Sequence, residues 1–171
     1  MEGWKVSRRM RVLGHWISWD AAPWPDLLHW KRLVWQSFFS NAGHASARGM
    51  GSRARLRLLD RCTRPHIDWK AGKWPLAPTV VSFFDRVHRK VLAATLQTPP
   101  HPDEQPELFA RRRGRIAAAT AQEQGPWGER YQLGAVEWYR HLQRAPRNAN
   151  WATLVLGQRS TAWLQRRRAE L

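Results

Sequence analysis

The stretch PTVVSFFDRVHRKVLAATLQ, residues 78–97, carries the clearest helical pattern in the chain. Its apolar residues recur at the three- and four-residue spacings of one helix face, which predicts an amphipathic helix packed on a core. That face consists of Val80, Phe84, Val87 and Val91, widened by Phe83 and Ala94. The basic residues Arg86, Arg89 and Lys90 lie off it. The stretch therefore predicts one side for packing and another for solvent or a charged partner.

Two further helices are predicted before this stretch. The first covers Leu27 to Asn41, with Asp26 close to its start. Its apolar face holds Leu27, Trp30, Val34 and Phe38, widened by Leu28, Trp35 and Phe39, with Lys31 inside the stripe. The second runs from Ser52 to about Thr63, and we expect Pro65 to end it because proline lacks the N–H that a helix needs.

The segment TPPHPDEQPE, residues 98–107, has four prolines and no candidate core residue. Its composition is typical of a linker, and we place a domain boundary there. Beyond it, residues 107–125 favour a helix, and a further helix is predicted from Trp127 to about Arg144. Short helices over Trp151–Leu156 and Ser160–Ala169 complete the chain.

The N-terminus has a different character, because β-branched and aromatic residues surround Gly14. We predict a short hairpin of Arg9–Leu13 and Trp16–Trp19. The predicted fold class is therefore mainly α, with a short N-terminal β-hairpin, a helical bundle and a second helical C-terminal segment. The corresponding regions are 1–22, 23–97, the linker 98–107, and a basic, Trp-containing tail at 108–171.

Charge limits the possible partners. The chain of 171 residues has a formal net charge of +16. An excess of this size predicts a polyanionic partner, such as nucleic acid, an anionic membrane surface or another acidic molecule. Twelve tryptophans are far more than usual, and we expect most of them in the core, although a Trp face also stacks on bases. No apolar run approaches the roughly 18 residues of a membrane helix, so no membrane-spanning segment is expected.

The sequence contains no recognisable catalytic or metal site. Metal-dependent nucleotidyl transfer needs carboxylates that converge on two cations, and the only adjacent acidic pair, Asp103-Glu104, lies in the linker. The single cysteine, Cys62, excludes an internal disulfide and a cysteine-rich zinc site. No P-loop, GxGxxG or GxSxG sequence is present. We therefore expect no catalytic residue, metal site or cofactor in this chain.

Clusters of basic residues are the candidate binding sites. The densest is Arg111-Arg112-Arg113-Gly114-Arg115, and its alternative interpretations are a phosphate-contacting strip, a nuclear-localisation-like patch or a solvated helix face. We predict backbone contacts first from Arg86, Arg89 and Lys90, then from Arg53, Arg55 and Arg57, and then from Lys31. Because no arrangement resembles base-edge readout, recognition of shape and backbone is expected.

The order of these segments resembles the C-terminal part of non-LTR (LINE-type) retrotransposon reverse transcriptases. Residues 11–18, RVLGHWIS, resemble the family's primer-grip hairpin (F/Y)-x-L-G-x-x-I-S, with Leu13, Gly14 and His15 at its centre. Trp35–Phe38 matches a W-x-x-F segment, and Phe83–Leu92 resembles the thumb helix L-x-x-F-x-R-x-x-R-x-x-L. The basic helix from Arg55 to Pro65 also has a counterpart there. The tail motifs of the family are matched by Trp138–Arg144, Trp151–Leu154 and Trp163–Arg167.

The resemblance implies RNA-directed DNA synthesis as the function of the parent protein. Its partners would be an RNA–DNA hybrid or duplex backbone and the palm and fingers of the same protein, and the full-length enzyme would use Mg²⁺. The chain departs from the family pattern because it lacks the usual aromatic near Val12, and Trp69 is the nearest aromatic after Pro65. The catalytic aspartates of the family precede the primer grip, so we expect a fragment that is inactive alone.

Two alternatives belong to other classes. In the first, the chain is an independent basic, helical nucleic-acid-binding module. In the second, it is a scaffold whose tryptophans form a protein interface. The sequence does not distinguish nucleus from cytoplasm.

Overall fold

The computed structural model describes residues 9–12, 15–18, 23–68 and 74–144, and α-helices dominate these ranges. The helices are α1 (Trp24–Ser40), α2 (Ser52–Asp68), α3 (Pro78–Leu96), α4 (Pro106–Gln124) and α5 (Trp127–Arg144). A single 3-10 turn, Ala45–Ala47, lies between α1 and α2. The prediction of a mainly α fold is confirmed.

Two short strands precede the helices. Strand β1 (Arg9–Val12) pairs antiparallel with β2 (His15–Ser18), with Met10 opposite Ile17. The turn residues Leu13 and Gly14 lie outside the described residues. The short helices predicted after residue 144 also lie outside the described part of the chain.

Prolines mark the starts of three helices. Pro25, Pro78 and Pro106 occupy the first or second position of α1, α3 and α4. Proline is favourable there because its fixed φ suits the helix and its missing N–H would have no partner in the helix. Helix α3 ends where Gln97 adopts a left-handed conformation, with φ of 48°.

The predicted end of α2 at Pro65 is wrong, because the helix continues to Asp68 with the proline inside it. An internal proline costs a backbone hydrogen bond, so tertiary contacts must stabilise the last turn. Ile67 is fully buried, and the carbonyl of His66 accepts a hydrogen bond of 3.0 Å from Trp30 Nε1. These contacts hold the last turn against α1.

The core is built around Trp30, which is fully buried. Its ring lies 4.5 Å from that of Phe84 and 6.1 Å from that of Trp127, measured between centroids. Trp74 Nε1 donates to Asp26 Oδ2 at 3.0 Å, and the Tyr131 hydroxyl donates to the carbonyl of Trp74 at 2.8 Å. The polar atoms of Trp30, Trp74 and Tyr131 are thus hydrogen-bonded, which avoids the cost of leaving them buried and unpaired.

The predicted apolar face of α1 is narrower than expected. Leu27, Trp30, Val34 and Phe38 are buried, as predicted. Of the residues expected to widen the face, the half-buried Trp35 packs against the core, whereas Leu28 is 56% exposed and Phe39 is 61% exposed. These residues form a second apolar strip on the outside of α1.

One core spans both sides of the proline-rich segment. Ala117 and Ala121 of α4 and Trp127 and Tyr131 of α5 pack in the same cluster as the buried residues of α1–α3. Within the described residues, the segment predicted as a domain boundary therefore joins parts of a single packed unit. The physical reason is that α4 and α5 each bury one face against α3, and small alanines allow α4 a close approach.

Gly128 brings the start of α5 against α3. Its N–H donates to Asp85 Oδ1 at 2.7 Å, and a Cβ at this position would lie 2.7 Å from both Asp85 Oδ2 and Val81 Cγ1. Only glycine fits without displacement of these atoms, so α5 can dock closely on α3.

Candidate nucleic-acid interface

Helices α3 and α4 enclose an open groove of about 840 Å³ with a basic rim. Its lining contains five exposed cations: Arg86, Arg89 and Lys90 of α3 and Arg111 and Arg115 of α4. Small and apolar residues form the rest of the lining: Ala93, Leu108, Gly114, Ala117 and Ala118. We call this feature the basic groove.

Helical spacing explains why these residues meet. Arg86, Arg89 and Ala93 recur at three and four residues along α3, on the side away from its buried face. Along α4, Leu108, Arg111, Arg115 and Ala118 recur at three, four and three residues. Each helix thus presents one row of cations along one wall of the basic groove.

The electrostatics of the basic groove favour an anion. No aspartate or glutamate lies among its lining residues. Arg86 and Arg89 are steadied by their own helix, because their Nε atoms donate to the carbonyls of Ser82 at 3.3 Å and Asp85 at 3.4 Å. No described acidic group therefore competes inside the basic groove for a phosphate oxygen.

The arginine run of α4 is divided between two roles. Arg111 lines the basic groove, but Arg112 donates to Glu104 Oε2 at 2.6 Å and to the carbonyl of Pro99 at 2.9 Å. Its hydrogen bonds lower the pKa of the Glu104 carboxyl to about 2. Arg113 Nη2 donates to the carbonyl of Ala93 at 3.1 Å. The structure therefore gives Arg112 and Arg113 internal contacts, whereas Arg111 lines the basic groove.

The basic residues Arg53, Arg55 and Arg57 of α2 also differ in their surroundings. Arg55 is only 6% exposed, and its Nη2 lies 3.5 Å from the carbonyl of Leu96 at the end of α3. A cation beside the last carbonyls of a helix complements the helix dipole. Arg53 and Arg57 are exposed, but neither lines the basic groove. The structure thus places Arg55 in the packing of α2 on α3.

The remaining predicted site residues lie elsewhere. Lys31 is half-buried on α1 and does not line the basic groove. Of the primer-grip-like residues, Leu13 and Gly14 lie outside the described residues, and only the backbone of His15, the first residue of β2, is described.

Arg115 lines the basic groove and belongs to the arginine cluster that the sequence offers as a candidate binding site. It stands in the same arginine-rich run, separated from Arg113 by Gly114. The useful signal was the four-residue spacing from Arg111, which places the two guanidinium groups on one side of α4. Within the arginine cluster, this spacing pairs Arg111 with Arg115.

No metal or acid–base centre accompanies the basic groove within the described residues. No group of three or more His, Cys, Asp or Glu side chains is arranged to hold a metal ion in that part of the chain. The buried His88 stacks on Trp127 at 4.4 Å, and burial lowers its pKa to about 4. His88 is therefore neutral at pH 7 and belongs to the core.

None of the described helices combines the length and apolar character required to cross a membrane. Comparison of the chain with protein families, curated proteins and solved structures finds no match. The basic groove is therefore the observation on which a function is argued.

Proposed function

We propose that this chain binds the sugar-phosphate backbone of a nucleic-acid duplex in the basic groove. The observation that carries the proposal is that five exposed cations of α3 and α4 border one groove whose accessible surface is mostly apolar, with no carboxylate among the lining residues. Lysine and arginine that neutralise phosphates release counterions, which gives sequence-independent binding.

The composition of the basic groove favours backbone recognition over base recognition. Its lining contains no aromatic residue on which an unpaired base would stack. It also contains no Asn or Gln, the side chains that read adenine edges, so its Arg and Lys side chains are the groups that contact phosphates or guanine edges. The ligand that suits it best presents phosphates outward and keeps its bases paired, as an RNA–DNA hybrid or another duplex does.

We also propose that this binding serves a reverse transcriptase of a non-LTR retrotransposon, in which the chain would form the thumb and tail. The support is the order of the motifs along the chain and the position of Arg86 and Arg89 on the exposed side of the thumb-like helix α3. The palm and fingers would supply the catalytic carboxylates and the Mg²⁺, so this chain alone would bind without catalysing synthesis.

Binding is tested with the full chain and a labelled RNA–DNA hybrid over a range of salt concentrations. A variant with Arg111→Gln and Arg115→Gln removes two groove cations. Its matched control, Arg53→Gln with Arg57→Gln, removes two exposed arginines of α2 that do not line the groove. The first variant is expected to reduce the magnitude of the negative slope of log K against log salt by about 2, because each lost phosphate contact removes nearly one unit.

An equal reduction of the salt dependence in the two variants would mean that positive charge anywhere on the surface contributes to binding and that the basic groove has no special role. A salt-independent affinity of the wild-type chain would overturn the whole nucleic-acid proposal. The reverse-transcriptase proposal has its own test, which is the genomic sequence upstream of Met1. An in-frame Asp-Asp motif there supports the proposal, and its absence favours an independent binding module.

A further inference from the structure

The outer side of α1 carries an apolar strip that the nucleic-acid proposal does not use. We call Trp24, Leu28, Trp35 and Phe39 the outer strip. Three of them are substantially exposed, at 40% for Trp24, 56% for Leu28 and 61% for Phe39. They lie on one side of α1, adjacent to its buried face, whereas the basic groove lies between α3 and α4.

The three aromatic residues of the outer strip contact other aromatic rings. The rings of Trp35 and Phe39 stack with their centroids 5.7 Å apart and their planes 29° apart. Trp35 also meets the buried Phe38 edge-on at 5.5 Å, and Trp24 meets Phe83 edge-on at 6.0 Å. Aromatic side chains held in this way lose little conformational entropy on binding, which is a property of interface hot spots.

The shape of the outer strip matches a second helix. It is one row of side chains wide and runs the length of α1, about 22 Å from Trp24 to Phe39 at 1.5 Å per residue. A globular partner usually buries about 800 Å² on each side, which is more than a single row of four side chains offers. An amphipathic helix laid along α1 would cover the row with one apolar face.

The charges of α1 narrow the class of partner that suits the outer strip. The charged residues of α1 beside the outer strip are Lys31 and Arg32, both basic. The only acidic residue of α1, Asp26, is buried and accepts a hydrogen bond from Trp74. A second copy of the chain would bring these cations against each other, and a membrane-surface helix carries a richer row of Lys and Arg than two residues. The partner that best complements the outer strip and its neighbouring cations is therefore a helix with an apolar face and acidic flanks.

We propose that the outer strip of α1 is a docking surface for an acidic amphipathic helix of another polypeptide. Leucine-like side chains of the partner would lie against Leu28 and Phe39, and its carboxylates would pair with Lys31 and Arg32. This interaction is separate from the basic groove, so the chain would hold a protein and a nucleic acid at the same time.

The test uses the full chain and a labelled helical peptide of about 20 residues, with leucine on one face and glutamate on the flanks. The double variant Leu28→Ser, Phe39→Ser is expected to weaken binding about tenfold or more, as loss of central apolar contacts does. The matched control is Leu133→Ser on α5, which changes a side chain that is also 61% exposed. The control should bind the peptide as the wild-type chain does.

Hydrogen exchange locates the contact. Slower exchange at the amides of residues 24–39 in the presence of the peptide supports the proposal, whereas slowing confined to α3 and α4 would show that glutamate simply occupies the basic groove. A peptide with lysine in place of glutamate should bind about tenfold more weakly, since like charges then face each other. Equal binding of the two peptides would overturn the proposal.

Two further outcomes would also overturn it. One is binding to phosphatidylserine vesicles that depends on Leu28 and Phe39 when the glutamate peptide does not bind. The other is self-association in sedimentation experiments that the double variant abolishes. The double variant should bind the RNA–DNA hybrid normally, so failure of the docking proposal and failure of the proposed function are distinguishable.

Discussion

The two sides of α3 differ in almost every physical property. One side packs Val80, Phe84 and Val87 into the aromatic core, where each is less than 5% exposed. The other side exposes Arg86, Arg89 and Lys90 to the basic groove. A single helix therefore both organises the core and presents the candidate binding surface. Stability and binding should therefore be separable by substitutions only a few residues apart.

The largest expected effect on the core side is that of Phe84→Ala. Phe84 is fully buried, and its ring stacks on Tyr131 with 4.7 Å between the centroids. Loss of a buried phenylalanine leaves a cavity and costs about 3–5 kcal/mol of unfolding free energy. Urea denaturation measures the loss. A loss below about 1 kcal/mol, as is usual at surface sites, would contradict the assignment of this side to the core.

Acid should weaken the same side of α3 through His88. Burial lowers the pKa of His88 to about 4 from an ordinary 6.5. Between these values the unfolded chain takes up a proton that the folded chain does not, so stability is full above pH 6.5 and falls toward pH 4, by at most about 3 kcal/mol. Urea denaturation at both pH values measures this change. His88→Phe keeps an aromatic ring beside Trp127, and this variant should lose less unfolding free energy than the wild type when the pH falls from 6.5 to 4. An equal loss in the two proteins would mean that other groups cause the acid sensitivity.

On the groove side, the triple change Arg86→Gln, Arg89→Gln, Lys90→Gln should affect binding and leave folding almost unchanged. The three side chains are exposed, and such surface sites usually alter stability by less than about 0.5 kcal/mol each. The affinity for an RNA–DNA hybrid at low salt should fall about tenfold or more as phosphate contacts are lost. Fluorescence anisotropy measures the affinity and urea denaturation the stability. A large loss of stability would show that this side of α3 also carries structural contacts.

The smallest expected effect is a gain of stability from Gly114→Ala in the lining of the basic groove. A Cβ at this position meets no atom within 4 Å. Alanine in a helix interior is favoured over glycine by about 0.5–1 kcal/mol, so the melting temperature should rise. Hybrid binding should stay within about twofold of the wild type, because an open groove accommodates one methyl group. A marked loss of binding would show that the ligand backbone lies directly against Gly114.

Helix faces with a regular apolar period were predictable from the sequence. The α3 face was correct at Val80, Phe84, Val87 and Val91, because repeated burial on one side leaves a 3.6-residue signal. The exposure of Leu28 was not predictable in this way, since the spacing of an apolar residue does not say whether any element covers it. The continuation of α2 through Pro65 depends on contacts of Ile67 and His66 with other parts of the chain, which no local rule contains.

The candidate site was predictable only in part, for a related reason. Arg86, Arg89 and Lys90 were assigned to an exposed side because they lie off an apolar face that is easily recognised. Arg112 and Arg113 are adjacent to Arg111, yet each has a different partner because successive helix positions are about 100° apart. The burial of Arg55 depends on where α3 ends, and this is a tertiary relation.

The contact between Arg112 and Glu104 has a consequence for comparing sequences. Residues 97–105 connect α3 to α4, and Glu104 in this connection is fixed to α4 at 2.6 Å from Arg112 Nη2. Because Arg112 also donates to the carbonyl of Pro99, the connection is tied to α4 at two points and helps to hold α4 against α3. Among proteins that share this architecture, the length of the connection and the Glu–Arg pair should be more informative markers of a shared groove than the number of surface arginines.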